Sequence, residues 1–435
     1  MKSRYDVIVL GGGTAGVIAA TQAARAGAST LLVEKSGVLG GTTVLNGVNF
    51  PGLFHAWGRQ VIAGVGWELV SKAVAESGET LPDFSAWRDL PHYRLQIRVN
   101  AAVYAALADE AVTQAGADLA LHTMLAGVAP EDDRWRLILC RKEGLRDVSA
   151  RVVVDCTGDA NAVSLAGLPV KRNPTLQPGT LVVRAGGYDV STLDLPRLES
   201  AFLAAVDEGR LKHTDLIGKP DPVSQFLRWR GTNSVHVVGI DASTSDGRTQ
   251  GEVQARALIL RLLRFFRAQP GLERFHYETF APECGIRETV TIDGETSITA
   301  EDYLSGRHWD DAVCHSFYPI DIHQAGRGID TRPLREGVVP TIPYRALLPR
   351  GSRNMIVAGR CASGDQVANS AYRVQASCMA MGQAAGAAAA LAARGGLELR
   401  EVPLGHLHAL LRQHGAIVPE PPPSTTAARG LAEPS

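Results

Sequence analysis

The chain has 435 residues, 45% of them hydrophobic, and sets 44 Lys and Arg against 45 Asp and Glu for a formal charge of −1. That balance excludes the strong electrostatic bias expected of a nucleic-acid or anionic-lipid binder, and the length exceeds what one hydrophobic core usually supports, so two interleaved domains are expected. Six scattered cysteines without a Cys-x-x-Cys pair argue against zinc, iron–sulfur and local disulfide chemistry, so no metal site is expected.

The first predicted element is an apolar strand, Tyr5-Asp6-Val7-Ile8-Val9-Leu10. It runs into Gly11-Gly12-Gly13-Thr14-Ala15-Gly16, then an alanine-rich helix, then the strand Thr30-Leu31-Leu32-Val33 closed by Glu34 and Lys35. This is the order of parts in a dinucleotide site. Gly11 permits the bend, Gly13 lets the main chain approach a pyrophosphate, and Gly16 lets helix pack on strand. The anion sits on the free amides of the helix start, around Thr14 and Ala15. Glu34 falls about 20 residues after the turn, where an acid accepts hydrogen bonds from a ribose. The N-terminal apolar run is short and ends in glycines, unlike a signal peptide, and nowhere do about 18 apolar residues run uninterrupted; a cytoplasmic protein without a membrane span is expected.

A second glycine turn follows at Gly40-Gly41-Thr42-Thr43, whose small residues and hydroxyls suit a bulky cofactor lying against backbone, with an ordinary loop as the alternative. Apolar spacing predicts a helix over 99–115 and a strand over 118–121. A buried strand is predicted at Arg151-Val152-Val153-Val154-Asp155, ending in Cys156-Thr157-Gly158-Asp159. From 167 to 340 the elements become shorter and more aromatic, which reads as an inserted substrate domain. The dinucleotide pattern returns with a strand at Met355-Ile356-Val357-Ala358, the turn Gly359-Arg360 and a small-residue helix over 373–393. Pro, Ser, Thr and Ala dominate a flexible tail over 416–435.

With those blocks in place, the chain resembles the FAD-dependent oxidoreductases of the glutathione-reductase-like superfamily, and within them the group related to fumarate reductase flavoproteins. The opening fingerprint, Gly40-Gly41-Thr42-Thr43, Asp155-Cys156-Thr157-Gly158-Asp159, Gly285-Ile286-Arg287-Glu288-Thr289 and the stretch from Gly359-Arg360 to Met381-Gly382-Gln383-Ala384-Ala385-Gly386 carry the resemblance. It implies an α/β fold, a Rossmann-like FAD-binding domain in two parts, 1–166 and 341–415, around a mixed α+β substrate domain, 167–340. It also implies that Gly11, Gly13, Thr14, Ala15 and Gly16 hold the FAD pyrophosphate, that Glu34 holds the adenosine ribose, and that Thr157-Gly158-Asp159 faces the cofactor. Asp365 matches the acid that meets the ribityl chain or pyrophosphate. The last helix aims its start, Val374 to Ser377, at the flavin pyrimidine. That point has its own physical basis, since a helix start offers about half a positive charge to the anionic reduced ring.

No Cys-x-x-x-x-Cys follows the first unit and no second glycine fingerprint appears, so neither a disulfide reductase nor a dedicated NAD(P)H domain is expected. The reading is hydride transfer between a small organic substrate and flavin N5, with oxygen, quinone or a protein as the other electron partner. An electron-transfer subunit of a larger redox complex is the alternative. For chemistry, His323 in Tyr318-Pro319-Ile320-Asp321-Ile322-His323 is the candidate acid or base, oriented by Asp321, with a structural histidine as the alternative. Arg287 can fix a carboxylate or phosphate through its planar fork, or pair with Glu288. Arg373 is placed to meet flavin or substrate, with phosphate contact or packing also open. His55, Trp57, Asn233 and His236 are secondary candidates.

Overall fold

In the first strand, Arg4–Leu10 (β1), Val7, Val9, Ile8 and Leu10 are all buried. A strand apolar on both faces belongs inside a covered parallel sheet. The computed structural model, which describes residues 1–218, 220–324 and 328–420, shows why. β1 leads through helix α1 (Thr14–Arg25) to β2 (Thr30–Val33), and helix α2 (Ala101–Gln114) leads to β3 (Asp118–Ala120). Then come β4 (Met124–Glu131), β5 (Arg134–Arg141) and β6 (Gly144–Asp155). Much later in the chain follow β7 (Met355–Val357), α3 (Gln366–Tyr372) and α4 (Gln375–Gly395). The sheet order is β3-β2-β1-β6-β5-β4, with β7 also pairing β6.

β6 does two jobs. Its first half closes an antiparallel meander with β4 and β5, which the sequence reading left without elements. Its second half runs parallel between β1 and β7. The registers align the strand ends: Leu10 pairs with both Val33 and Asp155, and Asp155 pairs with Val357. Gly11, Glu34, Cys156 and Ala358, each one residue further on, therefore emerge along one crevice at the carboxyl ends of the strands, where open α/β sheets bind ligands.

One sheet face packs on α1 and α4, joined by Val7 and Val9, and the other face packs Ile8, Leu10, Trp135 and Leu137. The two helices cross at close range. A Cβ on Gly382 would stand 2.3 Å from the Ala15 carbonyl oxygen and one on Gly386 2.3 Å from that of Ala19. α4 is long and apolar enough to cross a membrane, but 89% of its apolar window is buried inside the protein, as befits a core helix.

Departures from the predicted elements have local causes. The helix expected over 373–393 is α4, displaced by two residues at each end: Val374 takes an extended backbone (φ −65°, ψ 153°) to start it, and a separate short helix, α3, precedes it. The middle of the chain is not uniformly short: a 23-residue helix, Ser245–Arg267, spans it. That region has its own core, in which Phe202, Phe226, Phe265, Phe266 and Phe275 cluster. Ile298, Tyr303, Val313, Ile320 and Leu334 instead join the first core. At the end of the described chain Ala416 and Val418 pack on that first core as well, and the remainder of the expected tail, 421–435, lies outside the described residues.

The α1–α4 crossing yields a stability prediction. Gly386→Val drives a side chain into backbone and is expected to lower unfolding free energy by about 1–3 kcal/mol in urea titrations. Gly405→Ala, in a helix with nothing near its added methyl, is expected to be neutral or slightly stabilising.

Candidate active site

Each turn at the strand ends is held by its own chemistry. Gly11 adopts φ +93°, and a Cβ there would meet the Cys156 carbonyl oxygen at 2.6 Å. Gly16 packs so closely that a Cβ would stand 1.8 Å from the Gly11 oxygen. Gly13 differs: a Cβ built on it meets only Gly41 Cα, at 3.8 Å, because it faces the open crevice. α1 starts at Gly13 with no side-chain cap, leaving its first amides toward the crevice. Glu34, buried, accepts from the Gly12 N–H (2.6 Å) through one oxygen and from the Ser36 N–H and hydroxyl (2.7 and 2.6 Å) through the other.

The second turn is built on Asp155. Its buried carboxylate accepts from the Thr157 N–H and hydroxyl and from the Ala162 and Val163 N–H groups. Burial raises its proton affinity and these four donors lower it. Asp159 then accepts from Arg360 and from the Thr289 hydroxyl (2.8 Å), linking the second turn, the last strand's turn and the segment after Arg287.

One cleft runs past all of these, with about 1550 Å³ of empty space including its open mouth. Of the residues expected from sequence, Gly11, Gly13, Thr14, Ala15, Glu34 and Lys35 line it, with Gly41 and Thr42. Thr157, Gly158, Asp159, Gly359, Arg360 and Val374 line it further along, and Arg287, His323 and Arg373 wall its far end. Five expected residues lie off its wall. Gly16 is spent on the turn. Gly40 (φ +104°) makes the second glycine bend. Thr43 is buried and donates to Gln375 Oε1. Ser377 is buried against the Ser316 hydroxyl (2.8 Å). Asp365 caps α3, accepting from the Ala368 N–H (2.8 Å) with one oxygen and from the Ala300 N–H (2.7 Å) with the other. Its Asp-then-helix pattern is a capping signal, which competes with any ligand role. At the start of α4, Gln375 lines the cleft while the Ala376 N–H is taken by the Pro51 carbonyl (2.7 Å).

The far end gathers charge from three distant segments. Backbone exchange between Thr180 and Gly285 brings Arg287 in, where it donates to the Thr180 hydroxyl (2.6 Å) and the Pro178 carbonyl (2.8 Å). It does not pair with Glu288, whose carboxylate accepts from Asn173, the Gln177 N–H and Gln366. The break between α3 and α4 aims Arg373 at the Asp321 carbonyl (3.2 Å) and Gln177 Oε1 (3.4 Å). His323 Nε2 lies 3.2 Å from Asp321 Oδ2, and its Nδ1 has no partner among the described residues. Burial opposes charge on Asp321, yet the hydrogen bond from His323 and the charges around it hold it down to about 2. An ionised carboxylate only accepts, so Nε2 carries the ring proton. Burial and the Arg287 charge pull His323 down to about 4, which keeps the ring neutral near pH 7. Burial and the like charge of Arg373 lower Arg287 to about 9.

The secondary candidates separate. His236 is buried with its ring 4.9 Å from that of His323, and Asn233 lines the cleft. His55 instead stacks on Phe84 (3.7 Å, 5°) away from it, and Trp57 donates to the Val338 carbonyl. Two participants had no signal in the sequence: Gln177, whose Oε1 accepts from both Arg373 and the His323 N–H, and Gln96, which donates to the Tyr318 hydroxyl (2.8 Å) at the cleft wall. Lone glutamines in loops carry no spacing that marks them.

The profile of the family described as FAD dependent oxidoreductase matches residues 6–411. The 4-oxocyclohexanecarboxylate 2-dehydrogenase of Sinomonas cyclohexanicum is 50% identical over 46 residues, 11% of this chain and 8% of that protein, so only a small part of that relative's length is spanned. Among solved structures, a geranylgeranyl bacteriochlorophyll reductase-like protein from Thermoplasma acidophilum aligns at 14% identity and TM-score 0.44, covering 95% of this chain and 82% of its own. The p-nitrophenol 4-monooxygenase PnpA of Pseudomonas putida aligns at 12% identity and TM-score 0.42, covering 98% and 92%.

The glycines make separable predictions. Gly13→Val has room in the protein alone and is expected to fold with an unchanged melting curve while filling the crevice beside the α1 start, so that it purifies with little cofactor. Gly16→Val collides with backbone and is expected to lose stability as well. Cofactor content by absorbance, set beside melting temperature, distinguishes the two.

Proposed function

The chain belongs to the FAD dependent oxidoreductase family and takes FAD as its cofactor; from that premise we propose that it moves a hydride between flavin N5 and a small anionic organic substrate held at the Arg287 and Arg373 end of the cleft. The supporting observation is convergence: two guanidiniums, a carboxylate–imidazole pair and Tyr318, drawn from separate segments, all line the same cleft as the dinucleotide turns.

The residues present fit FAD. Gly13 has the side-chain-free surface that a pyrophosphate needs beside the first amides of α1, and Gly41 closes over the same spot. In this reading the pyrophosphate is held by the amides around Thr14 and Ala15, the adenosine ribose by Glu34, with Lys35 beside it, and the inner half by Gly41, Thr42 and the turns Thr157-Gly158-Asp159 and Gly359-Arg360. The start of α4 at Val374 and Gln375 supports the pyrimidine edge with its positive end. FAD supplies a two-electron donor and acceptor at N5 when bound.

The chain's own groups supply the rest. Arg287 and Arg373 bind and orient the anion, and their planar forks suit a carboxylate. Asp321 fixes the His323 tautomer by accepting from Nε2, which leaves the lone pair of Nδ1 as the position that takes or returns the substrate proton. Gln177 steadies both partners through one oxygen. Burial of the group keeps water from competing for the same donors.

A panel of small organic acids and their neutral amides, mixed anaerobically with the purified protein, tests the reading: bleaching of the flavin is expected with acids and not with amides. His323→Asn is expected to keep FAD and slow that half-reaction by about a hundredfold to ten-thousandfold. Arg287→Lys, which loses the fork, is expected to weaken binding of the acid more than it slows the bound complex. Equal bleaching by acid and amide, unmoved by Arg287→Lys, overturns the assignment of the anion site.

A further inference from the structure

We propose that anion binding beside Arg287 and Arg373 is coupled to proton uptake at the Asp321–His323 pair, so that the site gains the acid for hydride transfer from flavin to substrate only with the anion in place, while the rings still neutral at a given pH serve the reverse direction. The inference rests on the anion-site reading above and deepens it.

Among the described residues, titratable and charged groups from several elements surround one imidazole, and His92, whose ring lies 5.8 Å from that of Tyr318, is held toward its neutral form by desolvation. On its own strand, Ile320–Gln324, Asp321 lies 3.2 Å from Nε2. From the strand His236–Val237 comes a second imidazole, ring to ring at 4.9 Å, which burial and Arg287 keep neutral. From the segment after Cys284 comes Arg287, and from the break between α3 and α4 comes Arg373, reaching the Asp321 carbonyl. Tyr318, just upstream, stays protonated because burial raises it. Across the strand pair His323 faces Ile329, and the neighbouring Asp330 and Arg332 are paired with each other. Glu288 is occupied by its three donors and does not line the cleft. Among the described residues that line this end of the cleft, two cations therefore face one carboxylate beside a neutral imidazole, with Glu288 a further negative charge that acts on Arg373 from off the wall.

This excess is what the coupling needs. Without an anion, burial and the Arg287 charge oppose a proton on His323, which sits near 4 rather than its ordinary 6.5. Burial persists when a ligand binds, but the opposing field does not. At an effective dielectric of about 20, a unit negative charge roughly 5 Å from the ring changes its proton affinity by about two pH units. That is comparable with the whole displacement. A bound anion thus repays the cost of protonating His323, and by linkage a protonated His323 tightens the anion.

The experiment uses the FAD-loaded, oxidised protein with acetate as probe and acetamide as the neutral control. Titration calorimetry in two buffers of different protonation heat reads proton uptake directly. If the ring returns to its ordinary value, uptake is expected at about three-quarters of a proton per site near pH 6 and about a tenth near pH 7.5. Acetamide is expected to give none. His323→Asn is expected to abolish uptake while acetate still binds. In the wild type, the imidazole carbon shifts of 13C-histidine-labelled protein are expected to show one ring protonating on acetate addition, a readout that needs no variant. Acetate binding with the same heat in both buffers, or with uptake intact in His323→Asn, overturns the coupling alone. Acetate that neither gives heat nor perturbs the flavin spectrum overturns the anion site, and the coupling with it.

Discussion

The register of β6 is the constraint on which the rest of the molecule depends. This strand pairs with β1 on one side and with β7, from the far end of the chain, on the other. Because all three run parallel and Asp155 is opposite both Leu10 and Val357, the turns that follow end at one level. A slip of one residue would exchange the faces of a strand and separate those turns. The buried Asp155 carboxylate strengthens the same point, since four local donors converge on it immediately beyond the strand. The tight α1–α4 crossing, possible only with Gly382 and Gly386 at the contact, then fixes the helix that closes the crevice from below.

A second consequence concerns charge. Burying two guanidiniums near each other is costly unless they are paired and hydrogen-bonded. The protein divides the task. Arg360 is matched by Asp159, at the cofactor turns. Arg287 and Arg373 are matched less completely, by neutral oxygens of Pro178, Thr180, Gln177 and Asp321 and by the single Asp321 carboxylate. The Nε atoms of Arg373 and Arg360 are both buried without a partner among the described residues. Such incomplete satisfaction is uncommon in a structural core. Burial first, and the same field second, explain how a histidine beside an ionised carboxylate can remain neutral.

The dinucleotide half of the protein was legible in the linear sequence because its determinants are local. Gly11, Gly13 and Gly16 act through backbone geometry within one turn, and Glu34 and the Asp155 turn follow their strands directly. The strands β1 and β7 stood out as short apolar runs next to glycines. The meander β4–β5 is harder to read because β4 is largely exposed and shows no clean alternation, although β5 alternates in burial along Trp135, Leu137 and Leu139. The helix over 373–393 is legible from its small residues, whereas the separate short helix α3 before it, and the turn at Arg373 and Val374 between them, carry no Pro or Gly that announces them. Asp365, which the resemblance matches to a cofactor acid, also stands directly before a helix and caps it, a role its position makes legible on its own.

What the sequence by itself determined is therefore the frame of strands and glycine turns, whose information lies in residue types at fixed short spacings. Only the tertiary structure decided the far end of the cleft. Arg287 reaches it through the Thr180–Gly285 pairing, Arg373 through a helix break, and His236 through a strand more than 80 positions before His323, as their numbers show. Gln177 joins them with no pattern at all. Long-range placement of this kind depends on packing of the second core against the first, and charge balance is a property of the assembled group rather than of any one segment. The physical reason is that a turn is specified by the conformational freedom of its own residues, whereas an electrostatic site is specified by distances between residues that only the folded chain brings together.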